Sequence, residues 1–175
     1  MFENTSKLLA ALDRFYLELD RRLAPLYRIH AARLQCRPGC HQCCVDDLTV
    51  WQVEAHYIRL HHEALLRRET PHPAGGCAFL NSEGHCRIYP HRPYVCRTQG
   101  LPLRWIEEEP DGGWVEFRDI CPLNEPGEAI EMLPEDQCWT IGPFEARLAK
   151  IQSEFMGGAG QRIALRSLFR VTRRD

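Results

Sequence analysis

The chain has 175 residues, enough for one domain with a real core, and it balances 22 basic side chains against 24 acidic ones. A formal charge of −2 and a pI near 6.4 exclude the strongly basic face that nucleic acid or anionic lipid requires of a partner. Charges interrupt the N-terminal residues before a signal-peptide apolar core can form, and no stretch reaches about 18 apolar residues, so a cytoplasmic protein without a membrane span is expected.

In chain order, Leu8, Leu12, Phe15, Leu19, Leu23 and Leu26 recur at spacings of four and three and draw the apolar stripe of a helix. Asn4, Thr5 and Ser6 are its candidate N-caps, and Pro25 predicts a kink or break near residues 22–24. A dense hook follows, Cys36-Arg37-Pro38-Gly39-Cys40-His41-Gln42-Cys43-Cys44, with Pro-Gly marking a turn. A second helix is expected to start at Asp47 or Thr49, with Thr49 and Gln52 in capping-box spacing, and to run to about Arg68. His56, His61 and His62 fall on it without ligand spacing and read as surface or boundary histidines.

Residues 71–76 are Pro- and Gly-rich and predict a loop. Beyond them Cys77-Ala78-Phe79-Leu80 and Cys86-Arg87-Ile88-Tyr89 flank turn residues and predict a hairpin or knuckle. A second hairpin is expected between 103–108 and 114–118, turned by Pro110-Asp111-Gly112-Gly113. Phe144, Leu148, Ile151 and Phe155 draw a further helix, and 163–169 a last short one. The glycine run at 157–160 follows a helix and lacks the Gly-Lys-Ser/Thr ending of a phosphate loop. The basic end, 166–174, reads as a solvated helix terminus. With no internal repeat or low-complexity segment, residues 1–175 read as a single domain. The fold class expected is α+β, mostly helical, with terminal helices packed around a loop-rich, metal-organised centre of short β-hairpins.

Nine cysteines are the sharpest signal: Cys36, Cys40, Cys43, Cys44, Cys77, Cys86, Cys96, Cys121 and Cys138. In a reducing cytoplasm clustered thiols serve metal binding or redox chemistry, and an odd count fits a disulfide scaffold poorly. Four thiols within nine residues are not core filling. Thiolates are soft ligands that favour zinc, Cu(I) and iron–sulfur clusters. Cys36, Cys40 and Cys43 have the C-x3-C-x2-C spacing that radical S-adenosylmethionine enzymes use for a cluster, but no βα repeat builds the barrel of those enzymes. Arg37, Arg87 and Arg97 each lie one residue from a cysteine and can favour thiolates by their charge.

The hook, together with Cys77-Ala78-Phe79-Leu80, Gly84-His85-Cys86-Arg87-Ile88-Tyr89 and Arg92-Pro93-Tyr94-Val95-Cys96-Arg97, resembles the YkgJ-type cysteine-cluster proteins. These are described as zinc- or iron-chelating and include flagellin lysine N-methylases. The resemblance covers about the middle half of the chain. It implies the metal ligands Cys36, Cys40, Cys43, Cys44, Cys77, Cys86, Cys96 and Cys121, in a bacterial setting.

Eight thiols exceed the four ligands of one zinc or one cubane cluster, so either two sites exist or one site with spare thiols. Cys43 and Cys44 would point opposite ways in an extended chain and so serve different sites. Cys138 reads as core; His41, His85 and His91 are substitute ligands; and Arg92 and Arg97 are donors to cluster sulfurs. The cofactor is an iron–sulfur cluster, slightly favoured, or zinc, in a structural or redox role. S-adenosylmethionine-dependent protein-lysine methyl transfer, or a metal chaperone or store, are the alternatives. The partner expected is the metal or cluster itself, with no nucleic acid and no membrane. The central blocks hold few apolar residues, so chelation should loosen the middle more than the terminal helices.

Overall fold

The computed structural model describes residues 2–157 and 160–169. It is a mostly helical α+β structure with two small sheets. The first helix, α1, runs Phe2–Ile29 and buries the whole predicted stripe from Leu8 to Leu26. It is not broken at Pro25, which lies inside it. Proline forfeits one backbone hydrogen bond, but Leu23 and Leu26 on either side are both buried, and that burial holds the turn in place. Asn4, Thr5 and Ser6 likewise lie within the helix rather than ahead of it.

The second predicted helix divides into three elements: strand β1 (Thr49–Trp51), helix α2 (Gln52–His61) and helix α3 (Glu63–Arg68). The predicted Thr49–Gln52 cap does not form. Val50 is drawn into the core on β1, and the Glu54 carboxylate instead accepts the Trp51 backbone N–H at 3.1 Å. At His62 the backbone leaves helical geometry (φ −128°, ψ 28°) and separates α2 from α3.

Residues 77–88 form a knuckle rather than a full hairpin, with one antiparallel bridge from Leu80 to Cys86. Asn81 closes its turn, its side-chain oxygen accepting the N–H groups of Glu83 and His85 at 3.0 and 2.8 Å. Helix α4 (Tyr94–Thr98) follows, and then β2 (Leu103–Glu108) and β3 (Trp114–Asp119) form the second predicted hairpin in antiparallel register. Three short 3-10 turns lead to β4 (Trp139–Thr140), which pairs parallel with β2, so the sheet order is β3-β2-β4. Helix α5 (Ile141–Met156) packs against α1 and α2.

The last described segment is strand β5 (Arg162–Ala164), antiparallel to β1, and a 3-10 turn over Leu165–Leu168 in place of the predicted helix. Arg166 is no solvated helix end. Its guanidinium pairs with Asp46 and donates to the carbonyls of His72, Pro73 and Gly76. Arg170, Arg173 and Arg174 fall outside the described residues.

Buried apolar side chains form two clusters. One gathers around α1, with Tyr57, Tyr94, Leu101, Leu103, Trp139, Phe144 and Leu148; the other lies under the knuckle, with Val50, Ile58, Phe79, Ile88, Leu165 and Leu168. Among the described residues no helix is long and apolar enough to cross a membrane.

Candidate metal centre

All nine cysteines are free thiols. The hook is a series of turns, with Cys40 N–H bonded to Arg37 O and Cys44 N–H to His41 O, both at 2.9 Å. It is therefore not the extended chain in which Cys43 and Cys44 would face opposite ways. Cys44 lowers the pKa of the adjacent Cys43 to about 6, with the charge of Arg92 acting in the same direction against burial, while Cys44 itself is pushed up. Cys43 is thereby shifted toward the thiolate, the form that binds metal.

The other thiols are carried to the hook by distinct elements. Cys77 N–H bonds Cys44 O at 2.8 Å and ties the knuckle to the hook. Burial pushes the thiols of Cys77, Cys86 and Cys96 upward. Ionisation of a neighbouring thiol would add to these shifts: Cys77 acts on Cys86, both act on Cys96, and Cys43, Cys77 and Cys96 act on Cys44. Cys96 sits on α4, and α4 is held against α1. Arg97 donates to Asp20 at 2.8 Å and lies 4.3 Å over the Tyr16 ring, while Tyr94 N–H donates to the buried Glu54 carboxylate at 2.8 Å.

Cys121 is reached from the other side, just beyond β3. Burial raises its pKa, and charges on Cys36, Cys43 and Cys40 raise it further. Cys121 thus shares its surroundings with Cys36, Cys40 and Cys43, and Cys43 in turn acts on Cys44 and Cys96, which joins the hook to the knuckle and α4. Cys36 and Cys43 are exposed, and Cys77 is buried. Among the described residues no three His, Cys, Asp or Glu side chains are already closed into a metal-holding group. The donor chemistry and number fit one or two four-thiolate sites.

A residue that sequence reasoning missed is Asn124. Fully buried, it donates from Nδ2 to Cys36 Sγ at 3.5 Å and to Gly100 O at 2.7 Å, while its Oδ1 accepts Gln35 N–H at 2.7 Å. Its own N–H bonds Cys121 O at 2.7 Å, so it stitches the start of the hook to the last thiol. Gly100, at φ +93°, has Cys36 Sγ only 2.6 Å from where a Cβ would sit. The Cys-Pro-x-Asn run at 121–124 was the available signal, but a lone asparagine carries no meaning until its partners are known.

Other predicted roles are redistributed. Arg97 does not donate to sulfur; its donors go to Asp20, Pro90 O and Arg92 O. Arg87 donates to the carbonyls of Phe79, Thr70 and Ala78 and to Glu69. Arg92 lies 4.1 Å over Tyr89 and acts on both Cys43 and Cys86, which keeps it beside the thiols. It also lines an open cleft of about 480 Å³ with Asp20, Tyr27 and Tyr89. Among the substitute ligands, His41 bonds Gly39 O, His85 faces Glu83, and His91 meets His62. Cys138 is buried, as expected, beside Arg118 at 3.9 Å.

No curated protein and no solved structure matches the chain. Residues 35–121 match the CxxCxxCC family, described as a zinc- or iron-chelating domain, and that span runs from the residue before Cys36 to Cys121. It takes in the hook, the knuckle, α4 and the last thiol, so the chain belongs, through these residues, to the CxxCxxCC family of zinc- or iron-chelating cysteine proteins.

Proposed function

We propose that the eight thiols from Cys36 to Cys121 hold iron–sulfur, or zinc in its place, in one or two four-thiolate sites. The observation that carries this is that eight free thiols on the hook, the knuckle, α4 and the segment after β3 are tied together by the Cys77 N–H bond to Cys44 O and by Asn124, which bonds both Cys36 Sγ and Cys121 O. Bound zinc would crosslink the hook, the knuckle and α4; a bound cluster would add one-electron transfer.

The chain's own contribution is positioning and charge. Asn124 orients Cys36, and the Glu54–Tyr94 and Arg97–Asp20 bonds fix the helix that carries Cys96. Arg92 offsets part of the negative charge that four thiolates concentrate around one ion. The exposure of Cys36 and Cys43 favours a second reading, a metal store that exchanges its ion with solvent.

Metal and sulfide analysis of protein purified without oxygen tests both. Stoichiometric iron and sulfide with broad visible absorption supports the cluster, and colourless protein with tightly held zinc supports the structural role. Metal that leaves during gel filtration supports the store. Metal-free folded protein with paired cysteines overturns all three.

A further inference from the structure

We infer that Arg166 is a positioning residue of the metal centre: from the C-terminal segment it clasps the loop ahead of Cys77 to the end of the hook. This deepens the metal reading of the thiols and rests on it. Arg166 lies outside residues 35–121, the span that matches the family, so the clasp comes from a part of the chain that carries no proposed ligand.

The segment that bears Arg166 is itself firmly seated. β5 pairs with β1 through Thr49–Ala164, Val50–Ile163 and Trp51–Arg162, and Leu165 N–H bonds Leu48 O at 3.0 Å. Leu165, Leu168 and Phe169 are buried, and the Phe169 ring lies 5.0 Å from the Phe79 ring of the knuckle.

Between these anchors every nitrogen of the Arg166 guanidinium is used. Nε pairs with Asp46, which follows Cys44 by two residues. Nη1 donates to His72 O at 2.7 Å, and Nη2 to Gly76 O at 2.8 Å and to Pro73 O at 3.3 Å. The other oxygen of Asp46 accepts Gly75 N–H at 3.1 Å. One ion pair thus ties the end of the hook to the carbonyl directly before Cys77, beside the Cys77 N–H bond to Cys44 O at 2.8 Å.

The loop has little else to hold it. Residues 71–76 read Pro-His-Pro-Ala-Gly-Gly, and none of them is buried. A glycine-rich segment without buried side chains keeps much of its conformational freedom. Were it loose, binding metal through Cys77 would have to order it, at a cost in affinity. Arg166 orders it beforehand. A planar fork of five donors can reach a carboxylate and several carbonyls at once, which a lysine ammonium cannot. Arg166 and Asp46 are partly exposed, 31% and 28%, so replacing either removes the clasp without opening the core.

The test compares Arg166→Ala, Arg166→Lys and Arg162→Ala in the full-length reduced protein. Arg162 lies on the same segment but bonds Glu145 and Thr49 O instead of the loop, so it reports general loosening. In metal-free protein Arg166→Ala should let Cys77 be alkylated about tenfold faster or more, through local opening, with Cys36 at its wild-type rate. Zn(II) affinity by chelator competition should fall about 10–100-fold. Arg166→Lys should recover only part of either loss, and Arg162→Ala should match the wild type in both.

Full recovery by lysine would mean that charge alone acts, and overturns the clasp. Equal losses in Arg162→Ala overturn it too, as does unchanged Cys77 alkylation in Arg166→Ala with Zn(II) still bound. Wild type that binds no Zn(II) instead sinks the metal reading on which the inference rests. Should a variant fail to fold, the Gly75 amide of chelated wild type decides. Protection from hydrogen exchange supports the clasp, and exchange as fast as in an open loop overturns it.

Discussion

Replacing Glu54 by glutamine tests how α4 is anchored, because this carboxylate lies almost fully buried between α1, β1 and α4. Its Oε1 accepts Tyr16 OH at 3.0 Å and Tyr94 N–H at 2.8 Å, and its Oε2 accepts Trp51 N–H at 3.1 Å. Glutamine can keep the first two with its oxygen, but its amide then faces the Trp51 N–H as donor against donor. One lost acceptor costs about 1–2 kcal/mol.

The pH dependence separates this loss from the cost of the charge. Burial raises the Glu54 pKa, opposed by the bonds from Tyr94, Trp51 and Tyr16. A raised carboxyl pKa means that the folded state holds its proton to higher pH than the unfolded chain. Stability of the wild type therefore falls as pH rises from the ordinary glutamate value, about 4.3, through the folded value. Glu54→Gln lacks that fall. In urea unfolding across this range, the deficit of the variant should be largest at low pH and shrink as pH rises. A deficit that grows with pH would mean that the hydrogen bonds outweigh burial, and would refute the reasoning. Glu54→Ala strands all three donors and should lose about 3–5 kcal/mol.

Gly100→Ala would set a Cβ 2.6 Å from Cys36 Sγ at φ +93°; it should cost roughly 1–3 kcal/mol in denaturant unfolding and displace Cys36. Asn124→Ala removes the donor to Cys36 Sγ and leaves Gly100 O and Gln35 N–H unpaired. Metal affinity measured by chelator competition should drop about 10–100-fold, and retention equal to the wild type would exclude Asn124 from the centre. Chelation should raise hydrogen exchange over 36–44 and 77–98 before it does so in α1 and α5, whose buried stripes need no metal. Simultaneous loosening of all four segments would show that the metal supports the whole fold.

The sequence by itself determined the cysteine pattern of a zinc- or iron-chelating domain and the longest regular elements. The 3.6-residue stripes of α1 and α5 and the Pro-Asp-Gly-Gly hairpin were readable because they are local and periodic. Only the tertiary structure decided which residues support the thiols. Arg97 and Arg87 look like charges placed for the cysteines beside them, yet each is taken by acceptors from elsewhere in the fold.

Asn124 and Gly100 matter only because residues 88 and 64 positions away, Cys36 in both cases, come to rest against them. His62 and His91 meet across 29 positions, on segments that share no pattern. Periodicity reports which face of an element is buried. It carries no information on which two non-periodic loops will touch, since that depends on how the helices beneath them pack.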